Sequence, residues 1–391
     1  MVLVVWAQNA TSSPSSKFGY GELNNNLPNA YRAMGGVGVG MRSNKAINPI
    51  QPASYTACDS MTFMFDLAGS FLYSNYGDSY GVTNKVNGNL EYITMQFPLW
   101  RQHIAMSLGV NPYSAVGYDF SLVDSINSDY YYTQTYRGIG GFTQVYGGLS
   151  VNVCDWVALG VNAYYMFGDI TQTRSLKFTD ISLDSVSMVE KLTANSLRLR
   201  YGVQLFHDFG KHTIAMGAVF ENKQPFSRMN YEQIETTTTD TLTMMDSGFE
   251  MPMMYGAGLS YKYDNRLLIG ADYMCHDWGS VKYFGQVNGL KKRHRFAFGA
   301  EYRHDPTSRK YANQLYWRLG ANYTTAYTSG YDVAEMGISA GVGFPLRTAG
   351  TVINTTIEYG KRGNMSVLAE NYCRLVVNAS ISEHWFFKRK L

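Results

Sequence analysis

Two runs of alternating residues, set back to back around a very short turn, constrain this chain more than anything else in it. In the stretch GGFTQVYGGLSVNVCDWVALGVNAYYMFGD, residues 140–169, Val145, Leu149, Val151 and Val153 fall on one parity. Gln144, Gly148, Ser150 and Asn152 fall on the other. After Cys154, Asp155 and Trp156, the residues Val157, Leu159, Val161, Ala163, Tyr165 and Phe167 share a parity opposite Ala158, Gly160, Asn162 and Tyr164. A period of two makes one face of each strand apolar and the other small or polar. The same unit recurs to the C-terminus, so each copy reads as one hairpin of a barrel.

Composition narrows the setting. Charged residues make up 16% of the 391, against roughly 25% in soluble proteins, and there are 31 Tyr and 38 Gly. Mean hydropathy is −0.21. No run of about 18 apolar residues occurs, which excludes helical spans. Many short alternating segments rich in Tyr and Gly fit a transmembrane β-barrel. A net charge of +3 with scattered basic residues gives no nucleic-acid footprint. Cys58, Cys154, Cys275 and Cys373 lie far apart, form no metal-type spacing, and read as small apolar residues.

Residues 1–8 read as the remnant of an export signal, with Val-Trp-Ala before Gln8. Residues 9–59 do not alternate and are rich in Asn, Ser, Gly and Ala, which suggests a plug. Their GGVGVG run, residues 35–40, lacks the strand, the Lys-Ser/Thr and the distal acid of a nucleotide loop. Residues 60–387 carry the alternation, and 388–391 are a short tail.

The connections alternate between short and long. Short turns fall near 98–101, 154–156, 208–211, 263–266, 304–312 and 345–350. Longer loops fall at 75–88, 114–139, 174–194, 222–250, 277–292, 324–332 and 360–371. Outer-membrane barrels have that asymmetry, with short periplasmic turns and long extracellular loops. The expectation is an all-β, transmembrane, antiparallel up-and-down barrel of about fourteen strands, N-terminally plugged, with both termini periplasmic. A soluble β-sandwich is the competing fold. Against it, Arg198, Arg200 and Gln204 share one face while the opposite face is apolar over about ten residues, enough to cross a tilted bilayer. Trp100, Trp156, Tyr261, Tyr263, Trp278, Trp317, Trp385 and Phe386 suit interfacial girdles. Fourteen strands lie between a filled barrel and an open water channel, so the lumen needs a plug.

Three groups of residues are candidates for function. Pro112, flanked by Gly109 and Gly117, either breaks pairing in the wall or ends the strand at the rim. Phe226, Met229, Phe249, Met251 and Met253 crowd around one loop, where flexible thioethers make adaptable apolar surface. Arg198 and Arg200, facing inward, can meet a carboxylate head group or pair with lumenal acids such as Asp272 and Glu301. His103 and Ser107 share a face but stand about 13 Å apart, and no hairpin assembles a Ser-His-acid group, so no enzyme is expected. No metal or cofactor is implied.

The chain resembles the FadL/TodX family of outer-membrane transporters for long-chain fatty acids and other hydrophobic compounds. Ala33-Met34-Gly35-Gly36, Asn48-Pro49 and Pro52-Ala53 look like its N-terminal hatch, with the Asn-Pro-Ala motif interrupted here as NPIQPA. Val110-Asn111-Pro112-Tyr113-Ser114 and Gly117-Tyr118 look like the third strand of members from Bacteroidetes-type bacteria. The 140–170 stretch and the ending EHWFFKRK are similar to their fourth and fifth strands and their C-termini. The resemblance implies passive, gated diffusion of a hydrophobic small molecule through a monomeric barrel in outer-membrane lipid. It assigns a hatch to Gly35, Gly36, Asn48, Pro49 and Pro52. It assigns a lateral gate to Gly109, Asn111, Pro112, Tyr113 and Gly117, and an outer docking groove to the Met-rich loop. A sister resemblance, to PorV-like barrels of type IX secretion, implies instead a docking subunit for a secretion or surface-assembly partner protein.

Overall fold

The computed structural model describes residues 11–24, 28–77, 82–125, 131–178, 186–226, 228–235, 240–244, 248–283, 287, 289–328, 334–346, 350–364 and 368–384. The signal remnant, the C-terminal tail, Trp385 and Phe386 lie outside them.

Fourteen antiparallel strands close into one ring. They are β1 (Thr62–Gly77), β2 (Val82–Trp100), β3 in two pieces (Ile104–Pro112 and Ser114–Ser125), β4 (Tyr131–Cys154), β5 (Val157–Phe178), β6 (Val186–Phe209) and β7 (His212–Glu221). The ring continues with β8 (Met254–Tyr263), β9 (Leu267–His276), β10 (Arg293–Tyr302), β11 (Tyr316–Thr324), β12 (Glu335–Pro345), β13 (Val352–Asn364) and β14 (Leu368–His384). Closure comes from the β1–β14 ladder, Thr62↔His384 to Gly77↔Ala369.

The parity is inside out relative to a soluble protein. On β1, Phe71 is 65% exposed while Ser74 on the other face is 0% exposed. Asp66, Gln96, Asn162, Gln204 and Asn378 are likewise buried. Apolar atoms face lipid and polar atoms face the interior, as a membrane barrel requires. Trp100, Trp156, Phe209, Tyr302 and Trp317 are exposed near the short turns, where an aromatic belt belongs. Trp278 departs from the girdle expectation. It sits on a short 3-10 turn, Trp278–Ser280, and is fully buried.

Two length classes share the ring. β7 to β11 have 9 or 10 residues each, about one crossing of a tilted bilayer. β4, β5 and β6 have 24, 22 and 24. The extra length forms a sheet beyond the bilayer at the long-loop end. The upper piece of β3 pairs with β4 along Val116↔Gly140 to Ser125↔Tyr131. On the other side, a hairpin of Arg228–Glu235 and Asp240–Met244 pairs with β6 along Arg228↔Asn195 to Glu235↔Met188. The expected loops 114–139, 174–194 and 222–250 therefore contain paired strand. Thr, Ser and Gln alternate there with Tyr and Val, and such a run reads as loop because neither face is apolar.

The inner segment, residues 11–61, runs inside the ring. It has 3-10 turns at Pro14–Lys17 and Pro52–Ala57, a two-residue strand Glu22–Leu23, and one helical turn, Asn29–Arg32. All four cysteines are free thiols.

Candidate functional site

The inner segment is fitted to the wall by glycine. Inward-facing Gly160, Gly202, Gly217, Gly258, Gly299 and Gly320 lie in a belt around β5 to β11, and neighbours pair across the ladders, as Gly217↔Gly258 and Gly299↔Gly320 do. A Cβ on any of them would overlap inner-segment atoms: Pro52 at Gly160, Gln51 at Gly202, Val39 at Gly217, Gly40 at Gly258, Met34 at Gly299 and Gly35 at Gly320. Gly35 and Gly36 take positive φ, +70° and +80°, at the end of the helical turn. Their carbonyls accept from the Arg295 guanidinium at 2.9 and 3.0 Å.

The glycine-rich run does cradle an anion, but one supplied by the wall. The Asp272 carboxylate accepts from the backbone N–H groups of Gly38, Val39 (2.7 Å) and Gly40 (3.3 Å). Successive N–H groups aimed at one carboxylate make a backbone nest. Asn48 donates to the Gly38 carbonyl at 2.7 Å. The Pro49 carbonyl accepts from Asn162 (2.9 Å) and Tyr164 (2.8 Å). Pro52 opens the second 3-10 turn. All five residues assigned to a hatch thus lie where inner segment and wall meet.

Ion pairs add a second set of ties. Arg32 reaches Glu91 at 2.8 Å and Glu358 at 3.3 Å. Glu91 points inward because β2 carries an extra residue there: Gly69 pairs with Leu90 and Ala68 with Tyr92. That bulge turns both Glu91 and Tyr92 to the lumen, an established use of bulges. Arg362 meets Glu22, Glu335 (3.2 Å) and Glu370 (3.8 Å), and Arg374 meets Glu358 (3.7 Å) and Glu22 (3.9 Å).

The third strand neither ends at Pro112 nor runs straight. Pro112 pairs with Thr143 and Val116 with Gly140, so four steps on β3 oppose three on β4. The break falls at Tyr113, whose N–H still donates to the Phe142 carbonyl at 2.8 Å. Gly140, Gly141 and Gly168 continue the bend across β4 and β5 with φ of +110°, +148° and +148°. A Cβ at Gly141 would overlap the Ser114 carbonyl. Below the break, β2 and β3 pair up to Ile93↔Val110. Above it, no ladder among the described residues joins β2 to β3. The inner strand Glu22–Leu23 pairs there with Ser114 and Ala115 instead. A cavity of about 250 Å³ lies at this gap, lined by Leu90 and Pro112 but also by Glu22, Arg32, Glu91, Arg295, Glu335, Glu358, Arg362 and Arg374.

Of the other gate residues, Gly109 leaves room for the Tyr146 ring, and Asn111 is buried with no partner for its amide among the described residues. Gly117 donates to Ser16 at 3.1 Å.

The Met-rich loop is packed rather than open. Phe226, Phe249 and Met251 are buried in one apolar cluster with Tyr113, Phe142, Trp278 and Tyr327. At its centre is Tyr20 of the inner segment, with ring centroids 5.7 Å from Phe226, 5.5 Å from Trp278 and 5.3 Å from Tyr283. Met253 is half-buried outside this cluster, and the Met229 side chain lies outside the described residues. Sequence reading missed Tyr20, which sits in a stretch with no periodicity to mark it.

Arg198 and Arg200 both face inward, but they pair with Glu221 at 3.0 and 2.5 Å. The expected partners are engaged elsewhere: Asp272 with the nest, and Glu301 with Arg318 at 2.6 Å. Glu221 ends β7, and its nearness to β6 depends on a register that parity alone does not reveal. Among the described residues no group of His, Cys, Asp and Glu could hold a metal.

A lipid-facing ring of fourteen strands, with its own N-terminal segment inside and a break at the third strand, is similar in fold to barrels of the FadL/TodX type. The fold is similar to the Ralstonia pickettii toluene transporter TbuX, with a TM-score of 0.61 at 14% identity over 92% of this chain and 98% of that one. It is also similar to a Pseudomonas aeruginosa FadL homologue, with a TM-score of 0.60 at 10% identity over 93% and 99%. A third similar structure is the P. putida toluene transporter TodX, with a TM-score of 0.59 at 14% identity over 94% and 99%. These are transporters rather than enzymes. No curated protein matches the sequence. The chain belongs to the BamG family, whose model matches residues 1–391.

Proposed function

We propose that this protein is a sealed outer-membrane barrel that serves as a docking subunit for a partner protein in secretion or surface assembly. Both termini are periplasmic, and the inner segment acts as a fixed plug. The observation that carries this reading is the sheet beyond the bilayer. Strands β4 to β6 extend past one crossing, and none of residues 131–137, 171–178 or 186–191 is buried. Upper β3 has no ladder beyond Ala115 on its outer side among the described residues. A largely half-buried sheet with an unpaired edge strand offers a surface to a partner.

The lateral break favours a second reading: transport of a hydrophobic small molecule that leaves sideways into the membrane. Its lining argues against this as the main role. An apolar ligand crossing the gap would desolvate buried guanidinium and carboxylate groups without replacing their partners, at several kcal/mol each. The aromatic cluster above, where such a ligand would dock, is filled by Tyr20.

Photocrosslinkers at Leu122 and Val123, which are 55% and 71% exposed, test the two readings together with ligand binding. The docking reading expects discrete protein adducts in intact cells, none from a crosslinker at lipid-facing Leu319, and no competed binding of a fluorescent fatty acid or of toluene. Saturable, competed ligand binding with no adducts from the sheet would sink docking and leave transport.

A further inference from the structure

We infer that a small cavity inside the barrel binds an inorganic anion of halide size. The inference is independent of whether the barrel docks a partner or passes a ligand. The cavity has a volume of about 40 Å³ and is lined by Arg198, Arg200, Arg293, Arg295, His276 and Glu221. Four guanidinium groups thus face one carboxylate.

That carboxylate is already committed to Arg198 and Arg200. Nearby acids are committed too. Asp272 holds the glycine nest, and Glu335 accepts from Arg362 at 3.2 Å and from Tyr372 at 2.6 Å. Arg293 is buried on the cavity wall, with Glu335, Tyr327 and Tyr113 as its electrostatic neighbours. Arg295 gives two N–H groups to the Gly35 and Gly36 carbonyls, and its Nε has no partner among the described residues. The same is true of Arg198 Nε and His276 Nδ1.

The buried guanidinium donors left without acceptors are expensive in a low-dielectric interior. An anion in the cavity supplies both the missing charge and the missing acceptor. Size sets its class. At about 10–15 Å³ per water, the space takes about three waters or one small anion. Ile50 and Met274 also line it, and about 40 Å³ is too small for the chain of a fatty acid.

The test uses the purified, folded barrel in detergent. Its thermal unfolding is followed in sodium gluconate, then with chloride or bromide replacing gluconate at constant ionic strength. The halides are expected to raise the midpoint by a few degrees with saturation, because a ligand bound only to the folded state stabilises it. Crystals grown in bromide are expected to show an anomalous peak between Arg293 and Arg198. Arg293→Gln is expected to remove both signals while keeping heat-modifiable gel mobility.

Midpoints that follow ionic strength alone would overturn the inference, as would a halide effect unchanged in Arg293→Gln or bromide peaks confined to the surface. If octanoate shifts the midpoint and halides do not, the site binds an amphiphile head group and the inorganic anion is wrong. If Arg293→Gln does not fold, the bromide map of the unaltered barrel decides alone.

Discussion

Replacing Gly299 and Gly320 together by valine is expected to yield a barrel that folds, opens and conducts ions. The two residues face each other on β10 and β11 and point into the lumen. A Cβ at Gly320 would overlap the Gly35 nitrogen and the Met34 carbonyl carbon, and one at Gly299 would overlap Met34 O. All of these are backbone atoms, so no rotamer change relieves the clash. Gly35 and Gly36 cannot shift easily either, since their positive φ holds the turn that presents them. Overpacking costs typically 1–3 kcal/mol per site when side chains can adjust, and two clashes against backbone exceed that range. The strands themselves tolerate the change, because β-branched residues suit a pleated wall. The plug is therefore the part that yields. The expected readout is current steps in a planar bilayer where the unaltered barrel gives none, together with trypsin cleavage at Arg32 and Arg42. A variant that keeps its heat-modifiable mobility, stays electrically silent and resists cleavage would show that the glycine belt does not hold the plug.

That belt marks the boundary of what was legible in the sequence. Parity is a local property. Val145 to Val153 and Val157 to Phe167 declare their outward face with no knowledge of any other strand, and the spacing of turns then counts the staves. Contacts across the lumen have no such local sign. A glycine inside a strand reads as a weak point until a second backbone is known to lie against it. Glu91 has the wrong parity for the interior and reaches it only through the extra residue in β2. Glu221 could not be matched to Arg198 and Arg200 without the β6–β7 register. A tryptophan near a strand end usually sits in the girdle, yet the loop folds Trp278 inward against Tyr20. At Pro112 the sequence supported both a strand end and a gap. The outcome is a one-residue break with renewed pairing, which depends on the glycines of β4 and β5 as much as on the proline. The charged lining of that gap comes from four remote strands and the plug, so the argument against an apolar route could not be made from sequence.

The second large effect is expected from Arg362→Met. Arg362 is the cation shared by Glu22 of the plug, Glu335 of β12 and Glu370 of β14. Removing it leaves three carboxylates in the interior, with Arg374 at 3.9 Å the cation that still reaches Glu22 and Thr11 donating to it at 2.8 Å. Breaking a buried ion pair from one side costs about 3–5 kcal/mol because the other charge is left uncompensated. The loss should appear as a lower unfolding temperature and as early protease access to the plug. The effect should also depend on pH. Burial alone would raise the Glu22 pKa, but Arg362 and Arg374 outweigh it and hold the carboxyl below its ordinary value. A depressed folded-state pKa contributes stability above the unfolded carboxylate range, and that contribution is lost as pH falls through the folded value. In Arg362→Met the depression weakens, and protonating Glu22 relieves repulsion instead. The gap between the unaltered barrel and the variant should therefore be widest near pH 7 and narrow below about pH 4. A second change, Glu335→Gln on the Arg362→Met background, should recover part of the loss, since it removes one of the stranded charges. A cost under about 1 kcal/mol, in the range of an exposed ion pair, would mean that water reaches this cluster and that the plug is tied elsewhere. A gap that ignores pH would mean that Glu22 does not carry the coupling between plug and wall.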